Sequence, residues 1–262
     1  MAKRCFEGFL HTGRPDYEAL YGIWPLRFIN RTSYSGWSDG STLPPDAWYD
    51  NVAAGYTNAH NFLLIDHEDW ANTTQAERLA TAAKFVTVYQ AIKSRRPDLS
   101  IGFYSYTTKR DWFRAIQGDQ DADYQEWQAE NNDMAAMIRA VDFFAPSIYM
   151  FYTRAVDTAP VVANAHAYFL ANINEAKRVR AAYGRNQPIY PYVLYQRADL
   201  TADLDIDVWE DMCRTAYTQA DGLILWGGYQ AAWSNSAAWW GRFLKDFPYG
   251  DRTLLKPRAV RN

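Results

Sequence analysis

Cysteine is scarce. The 262-residue chain holds two, Cys5 and Cys213, too few for the disulfide framework of a small extracellular domain, and both are expected as reduced thiols. An excess of charge of one sign is also missing. The 27 Lys and Arg stand against 30 Asp and Glu, a formal net charge of −3, so there is no basic footprint for a nucleic acid. No apolar run approaches the roughly 20 residues that span a bilayer, so no membrane partner is expected. The opening MAKRCFEGFLHTG has basic residues but no sustained apolar core. It does not read as a secretory signal, and the chain is expected to be cytoplasmic or released. No strand-like run leads into a glycine-rich phosphate loop, which excludes the dinucleotide fingerprint. No His/Cys cluster has zinc spacing, and no serine elbow occurs. Asp119, Asp121 and Asp123 are close together, but GDQDADYQE lacks the glycine and bidentate glutamate of a calcium loop. It reads as the solvated start of a helix, and neither metal nor cofactor is expected.

Aromatic residues, by contrast, are abundant: 11 Trp, 19 Tyr and 13 Phe. They fit a bulky core. They also fit carbohydrate binding, because sugar rings offer apolar C–H faces that stack on aromatic faces, while Trp and Tyr add a polar handle. With 48% apolar and 22% charged residues the chain is a folded globular protein.

The chain alternates short β-rich runs with longer helical patterns. Strands are expected over 21–29, 61–68, 98–106, 141–151, 187–195 and 221–228. Helices are expected over 73–97, 123–140, 161–184 and 203–220. This alternation gives an α/β fold with a parallel sheet. Polar or aromatic residues at the C-terminal strand ends favour a (β/α) TIM-like barrel, distorted, with seven or eight strands. Residues 1–262 are expected to form one catalytic barrel domain. Residues 30–60, rich in Gly, Ser, Pro and Asp, read as a long loop over the barrel mouth, and 250–262 as a basic tail.

The run NFLLIDHEDW (61–70) carries the chemistry. Strand side chains alternate faces, so Asp66 and Glu68 share one face and His67 points away, towards the surrounding helices. In a barrel, such a pair stands at the mouth of the lumen. Crowded carboxylates keep one member protonated, as glycoside cleavage needs. The other reading ends the strand at Ile65 and leaves the acids in solvent or capping the next helix. Two acids so close on one strand do not suit an acid and nucleophile roughly 5–5.5 Å apart across a scissile bond. They suit a substrate that supplies its own nucleophile, the acetamido group of an N-acetylhexosamine. Asp66 would then orient the acetamido nitrogen, and Glu68 would act as acid and base.

Ile65, Asp66, Glu68 and Trp70 resemble the catalytic strand of the hyaluronidases. Further stretches resemble that family in the same order: IGFYSY (101–106) after Arg96-Pro97, APSIYMFY (145–152), EAKRVRAAYGRNQPIYPYVLY (175–195) and DGLILWGGY (221–229). The resemblance covers most of 61–229. It implies a distorted β/α barrel, a retaining mechanism through the substrate acetamide, and no metal or cofactor. By position it implies Glu68 as acid/base and Asp66 as its partner. Tyr149 would lie near the acetamido group and Trp226 against the sugar. Tyr104 is a further candidate, as is Tyr195 after a small shift in register. The chain departs from the family in lacking the two disulfides of its animal members, and in placing His67 and Asp69 where Trp and Glu are usual. The loop 227–240 is its own.

These departures leave the glycan open: hyaluronan, or another N-acetylhexosamine polymer cleaved by a microbial or phage-associated relative. The partner is a polysaccharide, and the chain could be a module of a cell-surface or phage assembly. Two alternatives stand beside this reading. One is a glycosidase on a non-acetamido glycan, with Asp142 or Asp221 as nucleophile, although both begin strands at the wrong end of a barrel. The other is a catalytically inert carbohydrate-binding barrel.

Overall fold

The computed structural model describes residues 3–55, 60–151, 160–228 and 231–246. Its strands are β1 (Arg4–Glu7), β2 (Trp24–Pro25), β3 (Arg27–Asn30), β4 (Phe62–Asp66), β5 (Ser100–Phe103), β6 (Tyr192–Leu194) and β7 (Gly222–Trp226). All ladder pairings are parallel: β2-β1-β7-β6 form one run and β3-β4-β5 the other. Two joints close them into a ring. β2 and β3 are one bent strand, hydrogen-bonded first to β1 and then to β4, with Leu26 at the bend donating to the Glu7 carbonyl (3.0 Å). At the other joint, isolated parallel bridges Tyr104↔Ala145, Phe144↔Ile189 and Ser147↔Tyr192 carry the ring from β5 to β6. Among the described residues, seven staves therefore surround one lumen.

The helices are α1 (Tyr17–Tyr21), α2 (Asp46–Ala54), α3 (Gln75–Arg95), α4 (Ala122–Asn132), α5 (Ala135–Ala140), α6 (Pro160–Tyr183), α7 (Ile206–Gln219) and α8 (Ala238–Asp246). Local chemistry sets their ends. Thr74 and Glu77 form a capping box on α3, with Lys93 and Arg95 in its last turn. Asp121 caps α4 by accepting from the Asp123 and Tyr124 amides, the helix start expected of the 119–123 acids.

Several expectations need correction. The stretch 141–151 is bridged but forms no continuous strand. Pro146 and Pro188 supply carbonyls to this joint (Tyr192 N–H to Pro146 O 2.8 Å, Phe144 N–H to Pro188 O 2.9 Å) but have no N–H to return. The chain's first strand is Arg4–Glu7, whose four residues are too few to show a period. The stretch 30–60 contains helix α2, which buries Trp48, Tyr49 and Val52 and packs on α3. The expected 123–140 helix is broken into α4 and α5 at Asp133 and Met134. The basic tail 250–262 lies outside the described residues. Cys5 and Cys213 are both buried and unlinked.

Two apolar layers follow from strand alternation. Outward residues such as Cys5, Ile29, Leu63, Ile65, Ile101 and Val193 join the helices. Inward residues fill the lumen. At its base Phe6 packs on Phe62 and Tyr190 with ring centroids 4.7 and 4.9 Å apart, and Phe143 closes on Phe62 at 5.7 Å. Gly102 makes room for this plug, since a Cβ there would sit 2.4 Å from the Phe143 ring. The base is packed solid, so chemistry is confined to the mouth.

Candidate active site

β4 delivers its residues as alternation requires. Phe62 and Leu64 lie in the lumen, and Asp66, the last strand residue, follows them on that face. Across the ladder Asp66 is in register with Asn30 at the end of β3. Glu68 comes two residues later, beyond the strand, and is exposed. His67 points the other way and is buried. Its Nε2–H donates to the Gly40 carbonyl (3.0 Å), and its ring stacks on Trp37 at 4.3 Å. Burial holds its pKa below the ordinary imidazole value. Trp70 Nε1–H donates to Thr42 O (3.3 Å). The turn bearing Glu68 is thus gripped from behind by residues 37–42.

The two acids differ in their surroundings. Asp66 is largely enclosed, and its Oδ1 is buried without a hydrogen-bond partner. Burial, reinforced by the charges of Glu68 and then Asp69, pushes its carboxyl up to about 7, against the pull of Arg110. Among the described residues Glu68 makes no hydrogen bond or ion pair. It lines two cavities. One, of about 150 Å³, is bounded by Asn72, Arg78, Tyr106, Lys109, Arg110 and Glu130; the other, of about 210 Å³, by Asn30, Arg31, Asp66 and Asp69. The other carboxylates there are engaged: Glu130 with Arg114 (2.8 Å) and Lys109 (3.2 Å), Asp69 with Arg31 (3.0 Å).

Aromatic rings wall the mouth. Tyr104, Tyr149 and Trp226 belong to the same lumen cluster as Phe62 and Leu64. Tyr104 and Tyr149 lie 5.9 Å apart, and Tyr192 touches both as well as Trp226, at 5.2, 6.3 and 5.8 Å. Phe28 lies 4.4 Å from Trp226. Gly8 lets the indole lie flat over the end of β1, since a Cβ would come within 2.8 Å of its ring. Arg110, from the loop after β5, binds this wall from behind. Its Nη1 donates to the Tyr104 hydroxyl and to Ser147 Oγ, both at 3.0 Å, and its guanidinium rests over the Phe151 ring at 4.7 Å.

The structure therefore brings together Asp66, Glu68, Tyr104, Tyr149 and Trp226, and does not bring Tyr195 among them. On β6 Tyr192 and Leu194 face inward, so Tyr195 faces the helix shell. There it stacks on Trp239 (4.1 Å, 10°) and bonds the His11 ring (3.1 Å). Tyr192 takes the lumen position on that strand, which strand alternation could have shown. Arg110 lies on an irregular loop with no periodic signal, and sequence reading passed over it. Asp142 and Asp221 are fixed at the other end of the barrel. They bind the Ile101 and Ile189 amides (3.0 and 2.9 Å) and pair with Lys93 and Arg180. Among the described residues no group of three or more His, Cys, Asp and Glu is placed to hold a metal ion.

No protein-family model matches the chain. A hyaluronidase of Conus adamsonii, conohyal-ad1, is 24% identical over 249 residues, covering 82% of this chain and 70% of the relative. Among solved structures, bee venom hyaluronidase matches with a TM-score of 0.60 at 15% identity, over 87% of this chain and 88% of that one. A second crystal structure of that enzyme, in complex with a hyaluronic acid tetramer, matches with a TM-score of 0.57 at 15% identity, over 92% and 82% of the two chains. The ring of parallel staves defines a TIM-type barrel. The chain is similar to hyaluronidases in sequence along most of its length and in the architecture of its barrel.

Proposed function

We propose that the protein cleaves an N-acetylhexosamine-containing polysaccharide with retention, using the substrate's own acetamide as nucleophile. The observation that carries this reading is the open Oδ1 of Asp66: a buried carboxylate oxygen with no donor among the described residues, beside a Glu68 that makes no hydrogen bond or ion pair among them. A buried acceptor left unpaired costs about 1–3 kcal/mol. An acetamido N–H is a donor that would satisfy it and favour the charged carboxylate. Holding that nitrogen turns the acetamido oxygen towards the anomeric carbon. Glu68 gives its proton to the glycosidic oxygen as the C1–O bond breaks and the acetamido oxygen bonds C1, closing an oxazolinium ring. Glu68 then takes a proton from water as that water opens the ring, so two inversions give net retention. Tyr104, Tyr149 and Trp226 present the rings against which the sugar rests. A protein nucleophile from another strand is disfavoured by the fixed ion pairs of Asp142 and Asp221.

The test combines hydrolysis and inhibition. Hyaluronan, chondroitin, chito-oligosaccharides and bacterial capsular polymers should be screened for release of reducing ends. A thiazoline analogue of the oxazolinium ion should inhibit competitively. Hydrolysis that the thiazoline leaves untouched would sink the substrate-assisted mechanism, and glycan binding without hydrolysis of any polymer would favour an inert barrel.

A further inference from the structure

The loop that carries Arg110 goes on to present two aromatic rings to water. Trp112 is 48% and Phe113 52% exposed, with ring centroids 6.1 Å apart. The other large apolar side chains this exposed, among the described residues, are all leucines. A single exposed aromatic needs no explanation. This adjacent pair rests on a backbone that is held with unusual care. The Lys109 N–H donates to Asn131 Oδ1 (2.6 Å), and the Lys109 carbonyl accepts from Trp127 Nε1 (2.6 Å). Asn172 brackets Asp111, accepting from its N–H and donating to its carbonyl, both at 3.2 Å. The Asp111 carboxylate accepts from the Phe113 and Arg114 amides (2.9 and 2.6 Å), and Arg114 is anchored on Asp111 and Glu130. Asn131, Asn172 and Trp127 are fully buried.

So buried polar groups fix the loop while its two largest rings stay about half exposed. Exposed rings add little to folding, because apolar surface stabilises only when removed from water. A ring pair fixed in advance does lower the ordering cost of binding a partner. Its position names the partner. Arg110 lines the cavity of about 150 Å³ together with Glu68, and the two residues from Arg110 to Trp112 span at most about 7 Å of chain. The rings therefore follow the cavity lining closely along the chain, and the apolar face of a pyranose is complementary to them. We propose that Trp112 and Phe113 form a stacking subsite for a sugar ring of the glycan whose bond Glu68 cleaves, beyond the scissile bond on the β5 side of the mouth. This rests on the reading of the protein as a glycan-cleaving enzyme.

Calorimetric titration of the Glu68→Gln protein tests it, with di- and hexasaccharides of N-acetylglucosamine, hyaluronan and chondroitin as probes. Trp112→Ala added to Glu68→Gln should weaken hexasaccharide binding about tenfold and leave disaccharide binding unchanged. Trp112→Phe should retain most of the affinity, and Leu79→Ala, which removes an equally exposed leucine from α3, should change nothing. The subsite is overturned if Trp112→Ala/Phe113→Ala leaves hexasaccharide affinity within twofold, if both lengths weaken equally, or if no hexasaccharide binds. Hydrolysis by the wild-type protein reads the enzymatic proposal separately. Length-dependent binding lost with Trp112, but without hydrolysis, keeps the subsite and rejects the enzyme; hydrolysis with no effect of Trp112 does the reverse.

Discussion

Two buried acids of this barrel are treated in opposite ways. Glu175, in the helix layer, accepts from Asn131 Nδ2 (3.0 Å), from Gln128 Nε2 (3.3 Å) and from both Nε and Nη2 of Arg178 (2.7 Å each). Asp66, at the lumen mouth, has a buried oxygen with no partner and a carboxyl pushed up to about 7 by burial and its acidic neighbours. A carboxylate that only holds helices together is saturated with donors, because leaving it unsatisfied costs stability. A carboxylate left open in an otherwise well-satisfied interior marks a place where a missing donor arrives with a ligand.

The comparison is broken most severely at the open site. Glu68→Gln should lower kcat by about 10²–10⁴-fold, the range for removing a general acid, with little change in glycan affinity. Asp66→Asn should reduce kcat into the same range and at the same time stabilise the fold. The unfolded carboxyl titrates near 3.8 and the native one near 7. Between those pH values the native state holds its proton more tightly, so wild-type stability falls as pH rises from about 4 to about 7 and stays lower above it. Asparagine removes that loss, and urea melts at pH 8 should show a gain of up to about 4 kcal/mol. Glu7, also raised to about 7 by burial, slopes in the same direction, so the difference between variant and wild type isolates Asp66. A variant that is less stable at pH 8 would contradict the picture of an open, strained acid.

At the saturated site the sign reverses. Glu175→Ala strands Arg178 and the Asn131 amide inside the helix layer and should destabilise by roughly 3 kcal/mol, read as a lower urea midpoint. At temperatures where the variant remains folded, kcat should stay within a few-fold of wild type.

Much of this contrast could be read from residues 61–70. Three alternations along one strand put Phe62, Leu64 and Asp66 in the lumen and turned His67 outward, because a period of two leaves no freedom once the face is known. The barrel itself followed from runs that read clearly, such as the capped 21-residue α3 and the unbroken apolar run of β7. What was not legible had physical causes. β1 is four residues long, and the stave at 144–147 is interrupted by prolines. Tyr195 was carried in by resemblance across a proline-broken segment, where Tyr192 is the residue that faces inward. Arg110 sits on a loop whose position depends on Asn131 and Asn172, contacts that span 22 and 61 residues along the chain. No local pattern announces such contacts.

Arg110 and Asp69 sharpen the comparison through smaller effects, by acting on Asp66 with opposite charge. The kcat/KM profile should fall as pH rises through about 7, where the site loses the proton that the raised Asp66 carboxyl retains. Arg110 lowers that pKa, so Arg110→Met should move the falling limb to higher pH. It should also reduce kcat, since Tyr104 and Ser147 lose their common donor.

Asp69 raises the same pKa, so Asp69→Asn should move the limb to lower pH. Its bond to Arg31 is half exposed on the carboxylate side, and such a pair contributes less than about 1 kcal/mol, so the urea midpoint should hardly change. The shift itself should shrink in added salt, because Asp69 acts on Asp66 through charge alone, and an exposed charge is screened. Shifts of opposite sign from Arg110→Met and Asp69→Asn, read in one buffer series, would show that the limb belongs to Asp66. Shifts of the same sign would assign it to another group and remove the electrostatic half of the contrast with Glu175.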